Sequence, residues 1–209
     1  AIGFKSCFGI DFNDFILLDI PNLLPVKHEE LETPCKALLY CDLFLGILDD
    51  LVEEEGEIPY KEYATKLSEA GKRAREYKYL FDTLSSLCSA LEFKYDMGVR
   101  LRKAYKSGYK AIIGQICEEL DITILRIDEF YKNFRGLWYR ENKTFGFEVQ
   151  DARFGGLKQR LASCKERLED YISGKIDRIE ELEKEILPYR DKPTLYFNIY
   201  RQLISVSEI

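Results

Sequence analysis

Two long apolar stripes constrain this chain more than any other feature. In the first, Ile113, Ile116, Leu120, Ile124, Ile127, Tyr131, Phe134 and Trp138 recur three or four residues apart. In the second, Leu157, Leu161, Cys164, Leu168, Ile172, Ile176, Ile179, Leu182 and Ile186 do the same. An α-helix turns through about 100° per residue, so this spacing stacks the apolar groups along one seam. A strand would need a period of two. Each seam has to be covered by another, which predicts long helices packed side by side, as in an antiparallel bundle or coiled coil.

The rest of the chain extends that pattern. Tyr77, Leu80, Leu84, Leu87, Leu91 and Tyr95 mark a further long helix, reaching about Lys106 and stopped at Ser107-Gly108. Pro59 starts a shorter one through Tyr63, Leu67 and Ala70, with Gly71 as an interruption. Thr33 and Pro34 read as an N-cap and a first-turn proline. The helix they open is expected to run through Leu38, Leu39, Leu43, Phe44, Ile47 and Leu48, closing at Glu53-Glu54-Glu55-Gly56. Residues 1–32 are mixed, with a short amphipathic stretch from Asp11 to Leu18 broken by Pro21 and Pro25. Gly174 marks a break or kink in the last stripe, and Pro188 ends it. The tail from Thr194 to Ile209 alternates loosely, as an extended strand would. There is no Asn-Gly or Asp-Gly hairpin signal. The expectation is an all-α bundle of about five to seven mostly antiparallel helices, several of them long. An irregular N-terminal segment (1–32) precedes the bundle (33–187), and a short extended tail (188–209) packs back on it.

Charge and residue usage exclude several function classes. Acids outnumber bases, 37 to 31, for a net charge of −6, so the chain repels phosphate backbones and nucleic acid is not an expected partner. The basic runs Lys72-Arg73-Ala74-Arg75 and Arg100-Leu101-Arg102-Lys103 read as solvated helix faces. Six cysteines include no Cys-x-x-Cys and mostly sit among apolar residues, which favours a reducing compartment such as the cytoplasm. No apolar run approaches the ~18 residues of a membrane span, and no signal peptide is visible. The chain starts at Ala1 without Met, and this reads as an excised fragment.

The chemistry search returns little. His28 is the sole histidine and reads as a surface residue. Its solitude argues against Ser-His or Cys-His nucleophiles, zinc helices with paired histidines and carboxylate-bridged di-iron sites. No phosphate-cradling glycine loop is present, and no metal or cofactor is expected. Adjacent acids such as Asp128-Glu129 point about 100° apart on a helix and do not converge on one atom.

One stretch stands apart, the joint from Trp138 to Leu157 between the two stripes. It combines the only Trp with three acids, three bases and three glycines. Trp138, Arg140, Glu141, Asn142, Glu148, Asp151 and Arg153 suit a polar network around a helix–helix corner. Gly155-Gly156 suits close approach of a neighbouring backbone. Three readings stand at this point: a structural corner, a domain or subunit interface, and a ligand contact with Trp138 as an aromatic platform.

The joint also resembles part of a known family. Together with Asp14–Asn22, Pro34–Asp49, Arg167–Tyr171 and Gly174–Glu183, it is similar to the C-terminal helical region of bacterial family 20 glycoside hydrolases, the β-N-acetylhexosaminidases. The joint is the most specific of these matches. The family's catalytic signature is His-x-Gly-x-Asp-Glu on a barrel strand, with the Glu as general acid. Its Asp orients the substrate's 2-acetamido group, which acts as the nucleophile. Here the one Asp-Glu follows Ile124-Leu125-Arg126-Ile127, without the His or the Gly, inside a helical stripe. No catalytic residue carries over. The resemblance therefore implies a non-catalytic C-terminal domain of a hexosaminidase that releases terminal N-acetylhexosamine. Its expected partners are its own catalytic barrel and a second copy in a homodimer. The alternative is a stand-alone helical scaffold for protein–protein interaction.

Overall fold

The computed structural model describes residues 2–25, 33–46, 48–49, 52–53 and 56–184, and every regular element among them is helical. His28 and the expected extended tail lie outside the described residues. The elements are α1 (Ile2–Phe8), α2 (Phe12–Phe15), a 3₁₀ stretch (Ile16–Asn22), α3 (Pro34–Tyr40), α4 (Tyr60–Arg73), a 3₁₀ turn (Arg75–Tyr77), α5 (Lys78–Lys106), α6 (Lys110–Glu141), α7 (Phe147–Ser173) and α8 (Glu180–Glu183).

Helix α5 is the centre of the bundle, flanked by α3, α4, α6 and α8, and α7 packs along α6. The first stripe faces inward: Ile113, Ile116, Leu120 and Ile127 have no exposed surface. From the second stripe Leu161, Cys164 and Leu168 close the same core. Gly108, at φ +69°, turns α5 into α6, and Tyr109 N–H returns to the Ala104 carbonyl at 2.9 Å. That left-handed position favours glycine. The two helices then run antiparallel. Arg100 pairs with Glu119, Arg126 with Glu92, and Tyr79 hydroxyl with Glu141, in opposite chain order. Helix α7 runs back along α6 in the same way. Tyr131 meets Asp151, Asp128 meets Lys158, Asp121 meets Lys165, and Lys110 reaches the Tyr171 carbonyl.

Gly71 does not interrupt α4. It lets α4 approach α5: a Cβ there would lie 3.0 Å from the Phe81 Cβ, inside ordinary contact, and Phe81 is fully buried. The break comes instead at Arg75, whose φ is +50°. Gly174 does end its helix. It lies at φ +78°, and the N–H of Lys175 bonds the Asp170 carbonyl at 2.9 Å.

Two expectations are corrected. Helix α3 stops at Tyr40 instead of continuing to Leu48. The fully buried Lys94 ammonium takes its last carbonyls, Leu38 at 3.3 Å and Cys41 at 2.6 Å. A cation is well placed at a helix C-terminus. Asp42 then accepts from the N–H groups of Phe44 (2.9 Å) and Leu45 (3.1 Å), which shapes a turn that buries Leu43 and Phe44. The basic run around Arg102 is not a solvated face either. Arg102 is 6% exposed and holds Asp49 and the Phe44 and Leu182 carbonyls. The cysteines are free: Cys35, Cys88, Cys117 and Cys164 are buried, Cys41 is half-buried and Cys7 is exposed.

Candidate functional site

Most of the joint is helix. Trp138, Tyr139, Arg140 and Glu141 form the last turn of α6, residues 142–146 make the corner, and α7 begins at Phe147. A long polar stretch thus contains a short turn, which leaves α6 through the extended Asn142 and enters α7 through the left-handed Gly146. Gly146 sits at φ +92°, with the Trp138 ring 3.6 Å from where a Cβ would be. Its N–H donates to Glu148 at 2.8 Å, and the Asn142 N–H still bonds the Trp138 carbonyl at 2.8 Å.

The aromatic groups fasten this corner. Trp138 Nε1 donates to the Lys143 carbonyl at 3.0 Å, and the indole packs on Phe147 (5.7 Å between centroids) and Phe134 (6.1 Å). The ring is engaged inside the corner. The Arg140 guanidinium lies 3.9 Å over the Tyr79 ring and 3.7 Å from Glu141. The Tyr79 hydroxyl donates to Glu141 and the Tyr131 hydroxyl to Asp151 at 2.6 Å, and these bonds raise both phenol pKa values.

The helical period of α7 divides the other candidates between two faces. Glu148, Asp151 and Gly155 point outward, and Gly155 is exposed, with nothing within 4 Å of a built Cβ. It therefore admits no close neighbour within this chain. Gly156 is half-buried. Gln150, Arg153, Phe154 and Leu157 lie on the inner side, where Arg153 parts company with the polar network. It makes no hydrogen bond or ion pair among the described residues. Instead it lines a cavity of about 240 Å³ between α3, α5, α6 and α7. The wall from α3 is Cys35, Lys36, Leu39 and Tyr40, and Leu87, Phe130, Phe134, Gln150 and Phe154 complete it.

Electrostatics give this cavity one sign. Burial raises the Cys35 thiol to about 11 and the Tyr40 phenol to about 12, so both are neutral at pH 7. Burial and then the nearby Arg153 hold the Lys36 ammonium below its ordinary pKa. Among the described residues, no carboxylate lines the space. The sequence reading did not connect Lys36 and Tyr40 with Arg153. The available signal was that Pro34–Asp49 and the joint carry the same family resemblance.

The site's carboxylates do not cooperate. Glu141 accepts from Tyr79, Asp151 from Tyr131 and Glu148 from the Gly146 N–H. A larger groove of about 600 Å³ between α4, α5 and α6 is polar, and several of its groups are engaged with one another or with backbone. Ser85 donates to Ala64, Ser86 to Thr83, and Asn133 to Ser86. Among the described residues no group of three or more His, Cys, Asp or Glu is arranged to hold a metal ion. No helix among them is long and apolar enough to cross a membrane.

A family model described as Glycoside Hydrolase 20C C-terminal domain matches residues 13–198. No curated protein matches the chain.

Proposed function

The chain belongs to the Glycoside Hydrolase 20C C-terminal domain family, and from that premise we propose that it is the non-catalytic helical domain of a β-N-acetylhexosaminidase, packed against that enzyme's catalytic barrel. The parent releases terminal N-acetylhexosamine by substrate-assisted, retaining hydrolysis. The observation that carries this reading is the family match across most of the chain, joined to the absence of His-x-Gly-x-Asp-Glu from its sequence. Residues 1–32 follow the barrel, and the helices between residues 33 and 184 form the docking bundle.

The exposed groups at the α6–α7 corner support a docking role. Phe145 is 83% exposed, with Tyr139 and Val149 beside it in sequence at 43% and 40%. Large apolar groups gathered at one exposed end suit a protein partner. The open backbone at Gly155 has room for a neighbour. The same tip suits a homodimer, in which a second copy covers what the barrel leaves exposed.

Two measurements test the reading. The isolated chain is expected to give no turnover of a chromogenic N-acetyl-β-glucosaminide, and clear hydrolysis would overturn the non-catalytic assignment. In sedimentation, dimers are expected in the full enzyme. A strict monomer at high concentration, in the fragment and the full enzyme alike, removes the dimer.

A further inference from the structure

We propose that the cavity between α3, α5, α6 and α7 is a binding site for a small organic acid, its carboxylate on Arg153 and its apolar body against Phe130 and Phe154. The inference rests on the cavity itself and is independent of the docking role.

The first argument is the state of Arg153. Among the described residues, every other buried or half-buried arginine has a carboxylate partner. Arg100 has Glu119, Arg102 has Asp49, Arg126 has Glu92, Arg160 has Asp42 and Arg167 has Glu181. Arg153 alone in that group faces a cavity instead of an acid. A guanidinium offers a planar fork of donors that matches a carboxylate in two parallel hydrogen bonds. Removing such a group partly from water without a partner is unfavourable, and an anionic ligand relieves that cost.

The second argument is the lining. Lys36 and the amide of Gln150 line the same space. The Cys35 thiol and Tyr40 phenol are neutral, so neither repels an anionic ligand. In a chain of net charge −6, the described lining of this cavity holds two basic residues and no acid.

The third argument is shape. Phe130 and Phe154 stack edge to face at 5.5 Å and are almost fully buried, so their positions are set before any ligand arrives. The volume of about 240 Å³ falls just below the range typical of drug-sized ligands, so a compact acid fits. A few polar groups in a mostly apolar recess are the usual division of labour in small-molecule sites: the apolar walls supply burial and the polar groups set orientation.

The test is an NMR titration of the 209-residue chain with 3-phenylpropionate, paired with the neutral, nearly isosteric 3-phenylpropionamide. The acid is expected to shift the Phe130 and Phe154 ring signals and to saturate below roughly 1 mM, with the amide at least about tenfold weaker. Arg153→Ala should weaken the acid about tenfold or more and leave the amide within about twofold, because only the acid uses the guanidinium. Equal affinity for acid and amide would overturn the proposal, and so would unmoved ring signals. The acid–amide comparison is made on the unaltered chain, so it stands whether or not the variant folds. If Arg153→Ala folds and binds the acid as tightly as the parent chain, the proposal also fails.

Discussion

Replacing Arg102 by Ala is expected to lower folding stability by about 3–5 kcal/mol, among the largest single losses available in this chain. The guanidinium is 7% exposed and joins three segments distant in sequence. Its Nε meets Asp49 at 3.1 Å, and its two terminal nitrogens donate to the Phe44 carbonyl at 2.6 Å and the Leu182 carbonyl at 3.3 Å. Truncation takes the Arg102 cation from a largely buried carboxylate and a donor from each of two carbonyls, and it leaves a void. Urea unfolding followed by circular dichroism measures the loss. In a chain of this length it corresponds to a fall in melting temperature of roughly 6–20 °C. Arg102→Lys keeps the charge but not the planar fork, and should fall between the two. A loss under about 1 kcal/mol for Arg102→Ala would mean that the 42–49 turn and α8 are held by their apolar contacts alone.

Arg102 also shows where the sequence stops being legible. Its neighbours Arg100 and Lys103 make the run look like a solvated face, and nothing local reveals that its partners are carbonyls 58 and 80 residues away. Helix α3 poses the same difficulty. Its apolar spacing continues past Tyr40, and what ends it is Lys94, 53 residues downstream. The long helices were legible because their signals are local. Apolar spacing of three and four runs through α5, α6 and α7, and Gly108 and Gly174 mark two of their ends with left-handed backbone. At the joint the residue types were legible and their division was not. Glycines and charges resemble a loop until the helix is known to start at Phe147. The period of 3.6 then separates Asp151 from Arg153. That Arg153 meets Tyr40 and Lys36 is a matter of tertiary packing, which no local pattern contains.

The second large effect lies at Asp42, and its signature is a dependence on pH. Asp42 is 3% exposed and receives Arg160 through two guanidinium nitrogens, together with the N–H groups of Phe44 and Leu45. Burial acts to raise its pKa, but the Arg160 hydrogen bonds and charge and the two backbone donors outweigh it, so the carboxyl titrates below its ordinary value. The unfolded carboxyl titrates near about 3.9. A carboxyl depressed by folding contributes stability that is fully present above the unfolded pKa and is lost as pH falls through the folded one. Glu181, also depressed, acts in the same direction, and Asp96, raised by burial, acts against it. Asp42→Asn keeps the shape and removes the charge. It leaves Arg160 facing an amide that cannot receive both of its nitrogens, with an expected cost of about 2–4 kcal/mol at pH 7. The difference in stability between Asp42→Asn and the parent chain should begin to narrow as pH falls below about 4, where the unfolded carboxyl takes up a proton, and go on narrowing as pH falls through the lower pKa of the folded parent. Urea midpoints for both proteins across that range decide the matter. A gap of constant size would show that the loss comes from altered hydrogen-bond geometry, and that the buried charge at Asp42 does not hold the turn after α3 against α7.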